Sequence, residues 1–162
     1  MSLPGQARIL SAVTASPEET VGLAARLGRR LRPGQLVALD GPLGAGKTVF
    51  VRGLAEGRGV DPLVVRSPSF VLHHVYGSPP QLHHLDLYRL PQGAAIAFLD
   101  LDILLETAPV AVEWGERADL GTWHPLHLVM DITGDVSRRI EARQLELASD
   151  VLVEAWSAAL AG

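Results

Sequence analysis

The stretch QLVALDGPLGAGKTVF, residues 35–50, decides the fold of this chain. It begins with a short apolar run, Gln35 to Asp40, which has the length and composition of a buried strand. Residues Gly41 to Thr48 then match the full pattern G-x-x-x-x-G-K-[ST], and apolar residues at helical spacing follow. A strand, a glycine-rich loop and a helix in this order predict a phosphate-binding P-loop, because backbone N–H groups and the helix N-terminus surround an anion.

Lys47 is the only lysine among the 14 Lys and Arg residues of the chain. A composition that uses arginine for every other positive charge should replace lysine wherever either cation serves. Lysine carries a compact ammonium on a flexible stem, whereas arginine carries a broad planar fork. We therefore predict that Lys47 occupies a site that excludes the fork. In a P-loop it contacts the β- and γ-phosphates, and the Thr48 hydroxyl binds Mg²⁺.

Length and composition limit the class of protein. The 162 residues are 48% hydrophobic, which is enough for one buried core, and we expect a single domain over residues 1–162. The net charge of −4 provides no general attraction for nucleic acid or anionic membranes. No apolar segment approaches the ~20 residues of a membrane span. The N-terminus lacks a signal-peptide pattern, and there are no cysteines for disulfides, so we expect a cytoplasmic protein.

The rest of the chain alternates strand and helix patterns, which is typical of an α/β fold with a mostly parallel central sheet. We predict strands at residues 7–13, 70–76, 82–90, 109–116, 126–133 and 138–147. We predict helices at residues 16–31, with Ser16 as the N-cap, 47–57 and 148–160, and one or two short helices within residues 94–106. The last two strands flank a Gly134-Asp135 turn, which predicts an antiparallel C-terminal hairpin.

Two acidic residues lie where a P-loop site needs them. Strand alternation in HHLDLYR, residues 83–89, puts His84, Asp86 and Tyr88 on one side. Glu113 ends an apolar run at the carboxyl edge of the sheet, where ligands bind in open α/β folds. We expect Asp86 and Glu113 to act on Mg²⁺ and on hydrolysis.

The segment RSPSF, residues 66–70, is a candidate γ-phosphate sensor. Its hydroxyl groups, on Ser67 and Ser69, lie about 20 residues after Lys47, where GTPase-like proteins carry an ordering loop. The histidine pairs at 73–74 and 83–84 are weaker candidates for a metal site. Adjacent strand residues face opposite sides, so only pairing between strands could bring two histidines together, and we expect surface or core histidines.

Five features in order resemble the bacterial TsaE family, also called YjeE: Thr20 opening TVGLAARLG, then GPLGAGKT, SPSF, HLDLYRL and VEW. They span more than half of the chain. The resemblance implies a single P-loop NTPase-like domain that hydrolyses ATP to ADP and phosphate in tRNA threonylcarbamoyladenosine synthesis, in ANN-decoding tRNAs. The family works beside TsaB and TsaD, which transfer the threonylcarbamoyl group, so we expect tRNA contact only through these partners.

The resemblance also implies roles for matching residues. The catalytic candidates are Lys47, Asp86 and Glu113, with Thr48, Glu113 and Asp86 near Mg²⁺. The nucleotide-binding set is Thr20, Gly41, Pro42, Leu43, Gly44, Ala45, Gly46, Lys47, Thr48, Val49, Ser67 and Ser69. The chain departs from the family pattern at Ser69, which is usually threonine, and at Leu99-Asp100-Leu101, where a glycine is usual.

Two other functions use the same motif. A small-molecule kinase would need an arginine-bearing lid and a second substrate pocket. No arginine-dense segment follows the core, and Arg138, Arg139 and Arg143 are the nearest to such a lid. A non-hydrolysing nucleotide-gated scaffold would keep Lys47 and Thr48 but tolerate loss of Asp86. The fate of the γ-phosphate of labelled ATP separates a kinase from an ATPase.

Overall fold

The structure, a computed structural model, describes residues 10–162. Predictions for residues 1–9, including the start of the first strand and the character of the N-terminus, lie outside the described residues, and the single-domain prediction for the full chain stays a prediction. The strands are β1 Ser11–Thr14, β2 Leu36–Asp40, β3 His73–Tyr76, β4 Leu82–Asp86, β5 Val110–Glu113, β6 Leu126–Ile132 and β7 Arg138–Arg143. The α-helices are α1 Pro17–Gly28, α2 Lys47–Gly57, α3 Leu101–Thr107 and α4 Asp150–Ala161.

All these strands form one sheet in the order β1-β7-β6-β2-β5-β4-β3. The four central strands, β6, β2, β5 and β4, are parallel to one another, whereas the pairs β1–β7, β6–β7 and β3–β4 are antiparallel. The predicted α/β fold with a mostly parallel centre and an antiparallel C-terminal hairpin is therefore confirmed. The carboxyl ends of β2, β4 and β5 meet at one edge, which places Asp40, Asp86 and Glu113 on neighbouring strands.

Alternate residues of the buried strand β2 enter two separate cores. Val37 and Leu39 pack with the face covered by α1, α2 and α4, where the rings of Phe50 and Trp156 lie 6.3 Å apart. Leu36 and Ala38 pack with the face covered by α3. Because both faces of β2 are covered, the strand reads as a continuous apolar run rather than an alternating one.

Helices α1 and α2 pack closely because α2 has a glycine at the contact. A Cβ at Gly53 would collide with the Val21 backbone and the Ala24 side chain. The N-terminus of α1 is capped as predicted, since the Ser16 hydroxyl accepts the Glu19 N–H at 3.1 Å. The close contact fixes α2, and with it the loop that precedes α2, against the rest of the domain.

Several predicted boundaries are wrong. The third strand starts at His73 instead of residue 70, because the Pro68 carbonyl accepts N–H groups from Val71 and Leu72 and closes a turn. Helix α1 ends at Gly28, where shorter-range hydrogen bonds tighten the chain before residue 31. The fourth strand ends at residue 86 and the seventh at residue 143. The turn at Asp100 persists without glycine, because Asp100 itself adopts a left-handed conformation with φ of 48°.

Candidate active site

The P-loop leaves β2 and turns directly into α2. Gly46 is the N-cap of α2 with φ of 96°, a conformation that glycine adopts without a steric penalty. At Gly41, φ is 142° and a Cβ would clash with the Met130 carbonyl on the neighbouring strand β6. The loop backbone is therefore held against the edge of the sheet, while the Leu43 side chain at its tip is exposed.

Lys47 is buried at the start of α2. Its ammonium donates to the carbonyls of Gly41 at 2.6 Å and Pro42 at 3.0 Å, and it lies 3.9 Å from the centre of the Trp114 ring. Burial lowers the pKa of Lys47, while the nearby carboxylates, Glu113 first, oppose this shift. An ammonium has three N–H donors, so one remains for a phosphate oxygen. Two carbonyls and an aromatic ring therefore enclose the Lys47 ammonium.

Thr48 and Glu113 are in direct contact. The Thr48 hydroxyl lies 2.9 and 3.0 Å from the two carboxylate oxygens of Glu113, which is buried at the end of β5. Glu113 pairs with Leu39 on one side and with Asp86 on the other, so the sheet register fixes its position beside the P-loop. Hydroxyl and carboxylate oxygens are the ligands that Mg²⁺ prefers, together with substrate phosphates and water, so these residues fit a magnesium site.

Asp86 connects the sheet edge to the predicted sensor segment. Its carboxylate accepts the Ser67 hydroxyl at 2.9 Å and the Tyr88 N–H at 2.8 Å. Burial raises the pKa of Asp86, and these two hydrogen bonds oppose the shift. Asp86 is therefore a buried carboxylate held in one orientation beside Glu113.

The segment Ser67–Phe70 forms an exposed loop over this acidic pair. Phe70 is 81% exposed, and the Arg89 guanidinium lies over its ring, 4.0 Å from the ring centre. Val71, the next residue, is also exposed. Two adjacent apolar side chains therefore face solvent beside the cleft, although the strand pattern had placed them in the sheet.

Trp114 lies at the rim of the cleft. Strand β5 ends at Glu113, and Trp114 adopts a left-handed conformation with φ of 59°. Its ring lies over Lys47 and 5.0 Å from the ring of Tyr88. Strand alternation would have pointed Trp114 away from Glu113, but the end of the strand turns it toward the same cleft.

These side chains line one cleft of about 420 Å³. From the predicted set, the cleft includes Leu43, Gly44, Gly46, Lys47, Thr48, Val49, Ser67, Ser69, Asp86 and Glu113. Tyr88 and Trp114 line it too but were absent from that set. Both carried a signal, since alternation put Tyr88 on the side of Asp86 and Trp114 directly follows Glu113. Gly41 and Pro42 contribute the carbonyls that bind Lys47.

Thr20 and Ala45 lie in a second pocket, on the other side of the P-loop. This pocket of about 130 Å³ also includes Gly44, Gly46, Val49 and Arg138. Thr20 is buried, and its hydroxyl lies 2.7 Å from that of Thr14. Arg138 donates to the carbonyls of Ala45 at 3.0 Å and Gly44 at 3.1 Å, so its guanidinium holds the P-loop and is engaged within the domain.

Below the P-loop, Asp40 is bonded to the segment that follows β5. Its carboxylate accepts the Glu116 N–H at 2.9 Å and contacts the His127 ring. Burial raises the pKa of Glu116 to about 7, and a hydrogen bond to Asp40 and the charge of Asp40 add to the rise. Asp40 therefore anchors the residues after Trp114 to the start of the P-loop.

Pairing between β3 and β4 does bring two histidines together, because His73 Nε2 and His83 Nδ1 lie 3.0 Å apart. His83 also contacts the Thr107 hydroxyl at 2.7 Å, on the face away from the cleft. Within residues 10–162, no group of three or more His, Cys, Asp or Glu residues is arranged to hold a metal. Over the same residues, every helix is too short or too polar to cross a bilayer.

Residues 14–144 match the family described as threonylcarbamoyl adenosine biosynthesis protein TsaE. Three curated relatives carry the name tRNA threonylcarbamoyladenosine biosynthesis protein TsaE. The Streptomyces coelicolor protein is 49% identical over 98 residues, which cover 58% of this chain and 66% of that protein. The Mycobacterium tuberculosis protein is 42% identical over 109 residues, which cover 61% and 64%. The Nostoc protein is 37% identical over 134 residues, which cover 78% and 81%.

The chain thus spans slightly less than two thirds of the Streptomyces and Mycobacterium relatives. Among solved structures, it is similar to the crystal structure of Bacillus subtilis YdiB, with a TM-score of 0.66 and 30% identity. That similarity covers 94% of this chain and 96% of YdiB. The similarity therefore extends beyond the P-loop motif to the whole sheet.

Proposed function

Because the chain belongs to the TsaE family, we propose that it binds ATP and Mg²⁺ in the cleft and hydrolyses ATP to ADP and phosphate in support of threonylcarbamoyladenosine synthesis on tRNA. The observation that carries this proposal is the convergence of Lys47, Thr48, Asp86 and Glu113 on one cleft. These residues come from the P-loop helix and from two strands, and the Ser67–Phe70 loop borders them.

The P-loop binds the phosphates. Its backbone N–H groups and the N-terminus of α2 surround the phosphate oxygens, and Lys47 donates its remaining N–H to the β- and γ-phosphates. Thr48 and Glu113, whose side-chain oxygens lie 2.9 and 3.0 Å apart, would together hold Mg²⁺. When bound, Mg²⁺ would supply positive charge that offsets the charge of the phosphates.

Asp86 has a different role from Glu113. Its carboxylate bonds to the Ser67 hydroxyl and the Tyr88 N–H rather than to Thr48. We therefore assign Asp86 to positioning the attacking water and Glu113 to the metal ion. Since the Ser67 hydroxyl bonds to Asp86, the position of the loop and the orientation of the catalytic carboxylate are linked.

The partners of this activity would be the TsaB and TsaD proteins, which transfer the threonylcarbamoyl group and contact the tRNA. The docking surface in this proposal is the Ser67–Phe70 loop with Trp114 at the rim of the cleft. Phe70 is exposed in the described structure, and an exposed aromatic side chain is a common interface anchor. ATP would order the loop and complete the surface, and hydrolysis would release it.

The test measures phosphate release from γ-labelled ATP, with the protein alone and with TsaB and TsaD. We expect slow release alone, faster release with the partners, and free phosphate as the labelled product. Label transferred to another acceptor would favour a kinase, and ATP binding without turnover under both conditions would favour the scaffold.

Size-exclusion chromatography of the mixture with ATP, with ADP and without nucleotide tests the switch separately. We expect the complex only with ATP and Mg²⁺. Equal complex formation under all three conditions would contradict the switch but leave the hydrolysis proposal standing.

A further inference from the structure

A chain of buried hydrogen bonds leads from Glu113 to the root of the Ser67–Phe70 loop. Glu113 Oε2 lies 2.6 Å from His84 Nε2. The other ring nitrogen, Nδ1, lies 2.9 Å from the Tyr76 hydroxyl. That hydroxyl lies 3.1 Å from the Arg66 carbonyl oxygen and 3.4 Å from the Arg66 nitrogen, and Arg66 directly precedes the loop.

The side chains that form this series of hydrogen bonds are buried, so each bond has one defined partner. His84 has no exposed surface, and Tyr76 is also buried. An ionised carboxylate only accepts hydrogen bonds, so the His84 Nε2–H donates to Glu113. This bond fixes the orientation of the His84 ring. The ring orientation in turn fixes the position of Nδ1, the atom that the Tyr76 hydroxyl contacts. Because water does not compete inside the domain, a displaced member leaves a buried polar group without a partner.

We propose that His84 and Tyr76 are positioning residues that couple the carboxylate of Glu113 to the Ser67–Phe70 loop. A change at Glu113, such as binding of a divalent cation, thereby alters the hydrogen bonds that hold Arg66. The inference rests on the proposed function, in which Glu113 is a ligand of Mg²⁺. It adds a second connection between the loop and the acidic pair, besides the direct bond from Ser67 to Asp86.

The next histidine provides a matched control. His83 is equally buried and adjacent on β4, but its ring bonds to His73 and the Thr107 hydroxyl on the opposite face. A mutation at His83 therefore perturbs the same strand and a similar hydrogen-bonded pair without touching the connection to Glu113.

Two substitutions interrupt this series of hydrogen bonds at different points. Tyr76→Phe keeps the ring and removes the hydroxyl. His84→Gln places an amide near the Nε2 position, so it retains a donor toward Glu113 while removing the nitrogen that meets Tyr76. Thermal unfolding of each purified variant verifies folding. Tyr76→Phe alone carries the test if His84→Gln does not fold.

The readout is amide hydrogen exchange of residues 66–72, followed by mass spectrometry, without nucleotide, with ADP and EDTA, and with ADP and Mg²⁺. In the wild type and in His83→Gln, we expect Mg²⁺ to slow the exchange beyond the effect of ADP alone. In Tyr76→Phe and His84→Gln, this additional protection should disappear, while ADP affinity stays within a few-fold. Loss of one buried hydrogen bond predicts about fivefold faster exchange of the segment without nucleotide.

Two results would overturn the coupling. One is Mg²⁺-dependent protection that persists in Tyr76→Phe, and the other is an equal loss in His83→Gln, which would indicate general loosening of β4. Failure of the wild type to bind ADP would contradict the proposed function instead. The coupling is then tested with Glu113→Ala in nucleotide-free protein. This substitution should accelerate amide hydrogen exchange of residues 66–72. Unchanged exchange would refute the coupling.

Discussion

The P-loop and the Ser67–Phe70 loop border the same cleft, but they are held in different ways. The P-loop connects a central strand to a buried helix, and the Arg138 guanidinium and the Lys47 ammonium bind its carbonyls. The Ser67–Phe70 loop presents an exposed aromatic side chain and bonds to the sheet through Ser67 and the adjacent Arg66. Packing thus preorganises the phosphate-binding half, whereas the other half depends on polar contacts with the acidic residues of the site.

Asp86→Ala tests the connection between the two halves and should have the largest effect. It removes the carboxylate that bonds to Ser67 and leaves the P-loop contacts unchanged. We expect ATP hydrolysis to fall by about 100-fold or more, because loss of a positioned acid–base group typically costs that much. ATP affinity, measured by calorimetry, should stay within a few-fold.

Asp102→Ala is the control for Asp86→Ala, since Asp102 is bonded to Trp123 and lies outside the cleft. It should retain full turnover. If Asp86→Ala lost ATP binding and folding together, Asp86 would be a structural residue and its catalytic assignment would be wrong.

Lys47→Arg tests the rigid half. The guanidinium must fit where a compact ammonium lies between two carbonyls and the Trp114 ring. We expect ATP affinity to fall by about 100-fold, nearly as much as in Lys47→Ala, because a charge-assisted hydrogen bond to phosphate contributes up to ~3 kcal/mol. Titration of ATP into the variant measures its affinity for ATP. A near-normal affinity would show that the site accommodates a guanidinium.

Gly53→Ala tests whether helix packing holds the P-loop. Alanine normally stabilises a helix interior by up to ~1 kcal/mol over glycine. At Gly53 the added Cβ would collide with the Val21 backbone, so we expect net destabilisation of about 2 kcal/mol.

Gly22→Ala on α1 is the matched control, because its added Cβ would meet no atom within 4 Å apart from its chain neighbours and the backbone of its own helix. Urea unfolding should show opposite signs for the two variants. Equal stabilisation by both would mean that α1 and α2 separate at little cost, and that the P-loop is held less rigidly than its packing indicates.

Local sequence patterns predicted the site residues whose positions depend on a single strand, loop or helix. The P-loop motif lies between its own strand and helix, so the positions of Lys47 and Thr48 follow from adjacent residues. The carboxyl ends of parallel strands meet at one edge, which is why Asp86 and Glu113 could be expected to lie together. The Ser16 cap and the Gly134-Asp135 hairpin rest on equally local interactions.

The parts that were missed depend on contacts between distant residues or on where an element ends. For Trp114 the sequence allows two orientations, away from Glu113 if the strand continues or over the rim of the site if it ends there, and only the end of β5 at Glu113 selects the second. Phe70 to Leu72 have strand-forming side chains, yet a turn on the Pro68 carbonyl removes them from the sheet. The role of His84 required the pairing of three strands, because its contacts to Tyr76 and Glu113 join β3, β4 and β5.

Glu116→Gln should have the smallest effect, and it probes the root of the P-loop rather than its phosphate-binding side. Burial raises the pKa of Glu116 from 4.5 to about 7, with the bond to Asp40 and its charge adding to the rise. Between these values the folded state retains a proton that the unfolded state has lost, so this residue lowers stability as the pH rises through the window. Because Glu116 is exposed to solvent by its accessible surface, water screens much of the effect.

The urea midpoint of Glu116→Gln should therefore rise relative to the wild type between about pH 5 and about pH 8, since the variant cannot ionise. Glu154→Gln, which removes an exposed carboxylate on α4, should show a difference that does not change with pH. A constant difference for Glu116→Gln would mean that its charge does not oppose that of Asp40. The contact between Asp40 and the Glu116 backbone would then anchor the root of the P-loop without an electrostatic cost, which would increase its contrast with the Ser67–Phe70 loop.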